Sequence, residues 1–334
     1  MQDPTSTLID NNYNIGDIWM PSVLVLGPGG VKGFNKTGFL CYLEQVLFFK
    51  QVNIIIGVSV GSIIGCLMVV GYSIKEIIDM TIPLNIFDEL SDYTKHVSRS
   101  GLSRITKKIK DITNGSGLLS GDVIRHLLKQ KISNKWGKGD ITLKELYDYT
   151  GIRLVCTVTN CSDRKAEYFD YLSEPNCSVI EAVLMSAAIP GVFYKRKYNG
   201  KYYHDGAIAN PYPVKLFDDG KTNILGIYIE TNINHEESNA LASAYDCTNI
   251  QMGILKKIYQ EQCTDHVKHV EIISEFDDVT GINVSDQDKY KMIYTGWNEG
   301  KKFYNNLLGI KNTMIIVPHN LSLDEYIQQC IDNS

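Results

Sequence analysis

Ser59 lies in Gly57-Val58-Ser59-Val60-Gly61, with a glycine two residues away on either side. Ile54, Ile55 and Ile56 before it are the β-branched residues of a buried strand, and an apolar run of helical length follows to Val70. This is the strand–elbow–helix setting of a G-x-S-x-G nucleophile. The glycines admit backbone where β-carbons would clash, and the hydroxyl projects over a helix N-terminus whose free N–H groups favour developing negative charge. The same five residues can also arise by chance in a glycine-rich apolar segment. As a nucleophile, Ser59 needs a base and an oxyanion site from elsewhere in the chain.

A second glycine cluster, Gly27-Pro28-Gly29-Gly30-Val31-Lys32-Gly33, sits between a short apolar strand at 22–26 and a helix expected over 37–49. Two phosphate-binding templates fail on it. A P-loop needs serine or threonine after its lysine, and Lys32 is followed by Gly33; the dinucleotide fingerprint needs glycine at its sixth position, which is Lys32. What remains is either a nest of N–H groups suited to an anion, an oxyanion included, or a tight turn without chemistry.

The elements that must hold these loops read as an α/β chain. The first strand, the glycine loop, the helix and a second strand at 52–56 form a βαβ unit, so both loops stand at the carboxyl ends of neighbouring parallel strands, where such sheets place their sites. Further strands are predicted at 153–160, 166–169, 201–205, 224–230 and 267–274. Helices are predicted at 73–90, 123–131, 178–188, 240–262 and 286–307, with Thr142 and Glu145 as the capping box of another. No repeat or linker divides the chain. The expected organisation is an N-terminal arm (1–21), one domain (22–310) and a C-terminal extension packed on it (311–334).

Composition excludes several function classes. The chain has 334 residues, 44% hydrophobic and 21% charged, with a net charge of −5 that offers no basic balance for nucleic-acid phosphates. The eight cysteines form no C-x-x-C pair, so reduced thiols in a cytoplasmic setting are expected, and the polar N-terminus has no secretion-signal pattern. Residues 51–74 carry no charge and have the length of a membrane span, but their four glycines and the strand–turn start read instead as a buried strand and central helix. Six basic and no acidic residues at 95–110 could form a surface helix touching an anionic membrane, or a solvated helix packed on its own core. Cys263, His266 and His269, read at helical spacing, lack a fourth partner; no metal and no cofactor is expected. An α/β-hydrolase fold is not expected, because its nucleophile elbow normally follows several strands and only 56 residues precede Gly57 here.

Four blocks in this order resemble the patatin-like phospholipases. They are the glycine loop 29–33, the elbow 57–61, the Ser/Ala-rich segment Ser186 to Phe193 that contains Pro190, and Asp205-Gly206-Ala207. Two positions depart from the family pattern: Pro28 replaces a loop glycine and removes one N–H, and Gly27 stands where aspartate or serine is frequent. The resemblance implies a three-layer α/β/α fold with a mainly parallel sheet. It also implies a Ser59–Asp205 dyad in which Asp205 takes the hydroxyl proton, an oxyanion hole from the amides of Gly29 and Gly30 with Val31 and Val60, and Lys32, Gly33, Gly57, Gly61, Gly206 and Pro190 in support. The implied substrate is a phospholipid or other acyl lipid at a membrane surface, with no cofactor; the alternative is an inactive lipid-binding or interaction protein that retains the fold.

Overall fold

The computed structural model describes residues 18–85, 117, 119–231, 240–276 and 284–310. The expected arm (apart from 18–21), the C-terminal extension and the basic stretch 95–110 lie outside them. Eight strands form one mixed sheet. β1 (Val23–Leu26), β2 (Ile54–Val58), β3 (Arg153–Asn160), β7 (Ile224–Thr231) and β8 (Val267–Ser274) are parallel; β4 (Lys165–Phe169), β5 (Arg196–Tyr198) and β6 (Lys201–Asp205) add antiparallel pairs. The spatial order is β5-β6-β3-β2-β1-β7-β8, with β4 paired to β3.

Alternation along β1 divides the interior between the two faces of the sheet. Leu24 and Leu26 join one buried cluster with α1 (Gly33–Gln45) and α2 (Val60–Val70); Val23 and Val25 join another with Ile56, Val155, Tyr212 and Ile224. The strands at the centre are therefore apolar on both faces, as buried parallel strands must be. Helices α3 (Ile74–Thr81), α4 (Asp122–Trp136), α5 (Leu143–Thr150), α6 (Val179–Ser186), α7 (Ala240–Glu261) and α8 (Asp286–Leu307) complete the described helical elements. None of the described helices is long and apolar enough to cross a membrane.

Helix α8 crosses α1 at backbone distance. A β-carbon at Gly38 would fall 1.9 Å from the Ile293 carbonyl oxygen, and one at Gly296 would fall 1.7 Å from that of Asn35. The Asn35 side chain donates across the crossing to the Met292 carbonyl (3.0 Å), and the Tyr42 and Trp297 rings meet edge to face at 5.2 Å.

The expected elements are present with corrected bounds: the helix expected at 73–90 is α3, which ends at Thr81, and that expected at 123–131 runs on to Trp136. Helix α1 starts at Gly33, not at residue 37, because the glycine loop already coils as a single 3-10 turn (Gly30–Lys32) that runs straight into it. It stops at Gln45 rather than 49, where the chain turns and Leu47 adopts φ 56°. Strand β2 extends to Val58, two residues beyond expectation, because Gly57 and Val58 complete ladders with Leu26, Cys156 and Thr157. Edge strand β5 carries no apolar alternation, so its pairing with β6 is invisible in sequence. Cys263, His266 and His269 are not helical neighbours. α7 ends at Glu261, the Cys263 thiol donates to the Tyr259 carbonyl (3.1 Å), and His266 and His269 bond Asn223 and Tyr212.

The α1–α8 crossing sets a stability test. Gly296→Ala should lower unfolding free energy by about 3 kcal/mol, read by urea titration. Gly253→Ala, on α7 with open space around its would-be β-carbon, should be neutral or stabilising by up to about 1 kcal/mol.

Candidate active site

The elbow is built by contact between backbones. A β-carbon at Gly57 would sit 2.3 Å from Ser62 Cα, and one at Gly61 would sit 2.1 Å from the Leu26 carbonyl oxygen at the end of β1. Glycine is therefore the only residue that lets α2 turn back so tightly on β1 and β2. Between them Ser59 is held at φ 56°, ψ −126°, a left-handed conformation costly for a residue with a β-carbon, and it heads α2 as its N-cap while remaining buried. The Val60 amide lies at the first position of that helix, and the half-buried Val60 side chain reaches the glycine loop. A β-carbon at Gly33 would fall 2.7 Å from Val60 Cγ2.

The glycine loop leaves β1 after the Gly27 N–H donates to Ile227 (2.9 Å). Gly29 and Val31 are half-buried, Gly30 is exposed at φ 53°, and Lys32 and Gly33 are buried. Among the described residues the amides of Gly29, Gly30 and Val60 donate to no protein acceptor. The loop and the helix head thus present N–H groups in one neighbourhood.

Asp205 ends β6, where it pairs with Val158 of β3. Its backbone runs into a 3-10 turn (Gly206–Ile208) so close to β3 that a β-carbon at Gly206 would lie 2.1 Å from the Thr157 carbonyl oxygen. Oδ1 accepts the Ala207 N–H (2.8 Å), while Oδ2 is shut from solvent with no hydrogen-bond partner among the described residues. Burial pushes the carboxyl pKa up to about 7, opposed by the nearby Ser59 hydroxyl and the Ala207 amide. The serine thus acts on the carboxyl from close by, without a well-aligned hydrogen bond to Oδ2, a looseness common in unliganded sites. Neighbouring His204 takes no part in this contact. Its Nδ1 lies 3.0 Å from the Ala188 carbonyl, and burial lowers its pKa.

One segment ties the two halves together. Ser186, the last residue of α6, accepts the Ser59 N–H on Oγ (3.1 Å) and shares a 2.7 Å hydrogen bond with Ser62 Oγ. Two residues on, the Ala188 carbonyl accepts the Asp205 N–H (2.9 Å). Pro190 is exposed, in a turn closed by the Phe193 N–H on the Ile189 carbonyl (2.9 Å). On the far side of Asp205, Thr159 Oγ1 donates to its carbonyl (2.7 Å).

The geometry thus brings Ser59, Asp205, Gly29, Gly30, Val60 and the supporting glycines to the carboxyl ends of β1, β2 and β6. Sequence reasoning placed Ser186 in the Ser/Ala-rich block without giving it a role, and it missed Ser62, Thr159 and Lys36, whose residue types alone carry no signal.

Residues 24–218 match the family described as patatin-like phospholipase, which is more than half of the chain. The chain belongs to that family. It is similar to a probable lipid hydrolase of Invertebrate iridescent virus 6, with 31% identity over 193 residues that cover 58% of this chain and 62% of the viral protein. An uncharacterized protein of Acanthamoeba polyphaga mimivirus is 27% identical over 217 residues, 65% of this chain and 67% of its own. A cUMP-AMP-activated phospholipase of Escherichia coli is 34% identical over 85 residues, 25% of this chain and 23% of its own. The crystal structure of VipD from Legionella pneumophila shares the fold at a TM-score of 0.52 and 17% identity, covering 86% of this chain and 67% of that one. The patatin-like match takes in all four sequence blocks, from the glycine loop to Asp205-Gly206-Ala207.

Two tests follow from this geometry. Ser186→Ala strands the buried Ser59 N–H and removes the partner of Ser62, so it should cost about 1–3 kcal/mol of stability. Asp205 binds its proton more tightly folded than unfolded, so its contribution to stability falls as pH rises from about 4 to about 7. Asp205→Asn removes that fall. Denaturant titrations should find the variant little changed relative to its parent at pH 4 and more stable above pH 7, by up to about 4 kcal/mol.

Proposed function

We propose that the chain is a lipid acyl hydrolase of the phospholipase A or lysophospholipase type, cleaving carboxylic esters through an acyl-enzyme on Ser59. The observation that carries this is the pairing of a strained, buried serine with a buried carboxylate whose Oδ2 has no hydrogen-bond partner among the described residues, both hung from the Ser186–Ala188 segment. Asp205 takes the Ser59 proton as Oγ attacks the ester carbonyl. The tetrahedral oxyanion is held by the Gly29 and Gly30 amides with Val60, each donor worth about 3–4 kcal/mol. Collapse expels the alcohol with the proton from Asp205. Water then attacks the acyl-enzyme, Asp205 again taking the proton, and collapse of the intermediate releases the fatty acid as Asp205 returns that proton to Ser59 Oγ. A carboxyl with pKa near 7 is a far stronger base than an ordinary aspartate, so burial supports the chemistry.

The substrate class rests on family membership and on the viral relative named as a probable lipid hydrolase. The site is proposed to work in the cytoplasm at a membrane surface, where the ester of a phospholipid or another acyl lipid enters from the bilayer without a metal or cofactor.

Hydrolysis of a phospholipid, lysophospholipid and glyceride panel, alongside fluorophosphonate labelling, tests the reading. Ser59→Ala and Asp205→Asn should fold and lose turnover by about 1,000-fold or more, and label should sit on Ser59 alone. Because the base acts as carboxylate, kcat/KM should rise with pH through about 7. Lipid binding without turnover, unchanged by Ser59→Ala, would identify a non-catalytic lipid-binding protein instead.

A further inference from the structure

The mechanism above leaves one buried ionisable group unused. Lys36, in the first turn of α1, is fully buried, and among the described residues no carboxylate forms an ion pair with it. Its Nζ instead donates to the Gly27 carbonyl and reaches that of Pro28 at 3.5 Å. An internal lysine without a counter-ion is costly, and burial lowers its pKa to about 7. Such a group persists in a core where something depends on it.

The dependence follows from peptide geometry. In a trans peptide the C=O and the following N–H point in opposite directions, and the chain has no cis peptide among its described residues. Drawing the Pro28 carbonyl inward to Lys36 therefore turns the Gly29 N–H outward, away from the core. The preceding peptide cannot substitute, because Pro28 has no N–H to contribute. On the same side, the Gly27 carbonyl packs against the elbow: a β-carbon at Gly61 would lie 2.9 Å from it. One ammonium thus fixes the two peptide planes that precede the candidate oxyanion donors and seats them against α2.

We propose that Lys36 is a positioning residue of the glycine loop, clamping the Gly27 and Pro28 carbonyls so that the Gly29 N–H faces the forming oxyanion. This rests on the hydrolase reading for its catalytic consequence, but the clamp itself is a property of the loop. Lys32, the basic residue that the sequence pattern singles out, is buried too, yet it is Lys36, one helical turn later, that holds these carbonyls.

The test compares the parent with Lys36→Met, which keeps the stem and removes the donor, and with Lys36→Gln, which keeps a shorter donor. Hydrogen exchange of peptides spanning 27–33 should speed up by about 10-fold or more in Lys36→Met, with the rest of the sheet unchanged. Turnover and fluorophosphonate labelling should fall by about 30-fold or more, with KM within about threefold, because the loss is confined to the oxyanion-bearing state. Lys36→Gln should lie between the two on every readout. Parent-like loop exchange and turnover in folded Lys36→Met would overturn the proposal. So would faster exchange spread evenly over the sheet, or failure of both variants to fold, since each marks a general core role. If the parent neither hydrolyses lipid nor takes up the label, the hydrolase reading fails, and the loop exchange alone decides the clamp.

Discussion

The site depends on the three residues from Ser186 to Ala188. A serine at φ 56° does not stay there by preference, and a strand end carrying a buried carboxylate has no intrinsic reason to lie beside it. The Ser186 hydroxyl and the Ala188 carbonyl take the backbone N–H groups of Ser59 and Asp205, so one short stretch of chain at the end of α6 fixes the distance between two elements far apart in sequence. Small side chains are needed there because the segment runs between α2 and β6 within a few ångströms of both. A hydrogen bond to a buried backbone N–H is modest in net stability but expensive to leave unmade, which makes this anchoring directional rather than merely adhesive.

Electrostatically, the site sets two buried ionisable groups of opposite sign near the carboxyl ends of the strands, neither with a counter-ion among the described residues. Desolvation drives both toward neutrality, Asp205 upward and Lys36 downward, to about 7 in each case. A direct ion pair between them would hold each in its charged form. Instead each is held by backbone: Asp205 by the Ala207 amide, Lys36 by the carbonyls of Gly27 and Pro28. Perturbed groups of this kind concentrate where a fold trades stability for chemistry.

Much of the fold was legible because its elements obey local rules. Ile54–Ile56 and Arg153–Asn160 are strand-forming runs, Thr142 opens a capping box, and the loops after β1 and β2 announce themselves through glycine. What was hidden was hidden for stated reasons. β5 pairs through backbone and carries no pattern, and helix α1 begins earlier than its apolar run because a glycine turn nucleates it. Lys36 and Ser186 read as ordinary polar residues because their partners are carbonyl and amide groups, which every residue carries and no sequence distinguishes.

The sequence alone determined the strand–elbow–helix at Ser59, the glycine loop after the first strand, and an aspartate at a strand-to-turn junction, since turn geometry and steric room are dictated by residue type over a few neighbours. Tertiary structure decided that the three share one end of one sheet, that the carboxyl is desolvated enough to change its basicity, and that the loop is gripped from within by a lysine. Burial and hydrogen-bond partnership across the chain are properties of packing, and they exist only once β1, β2, β3 and β6 lie side by side.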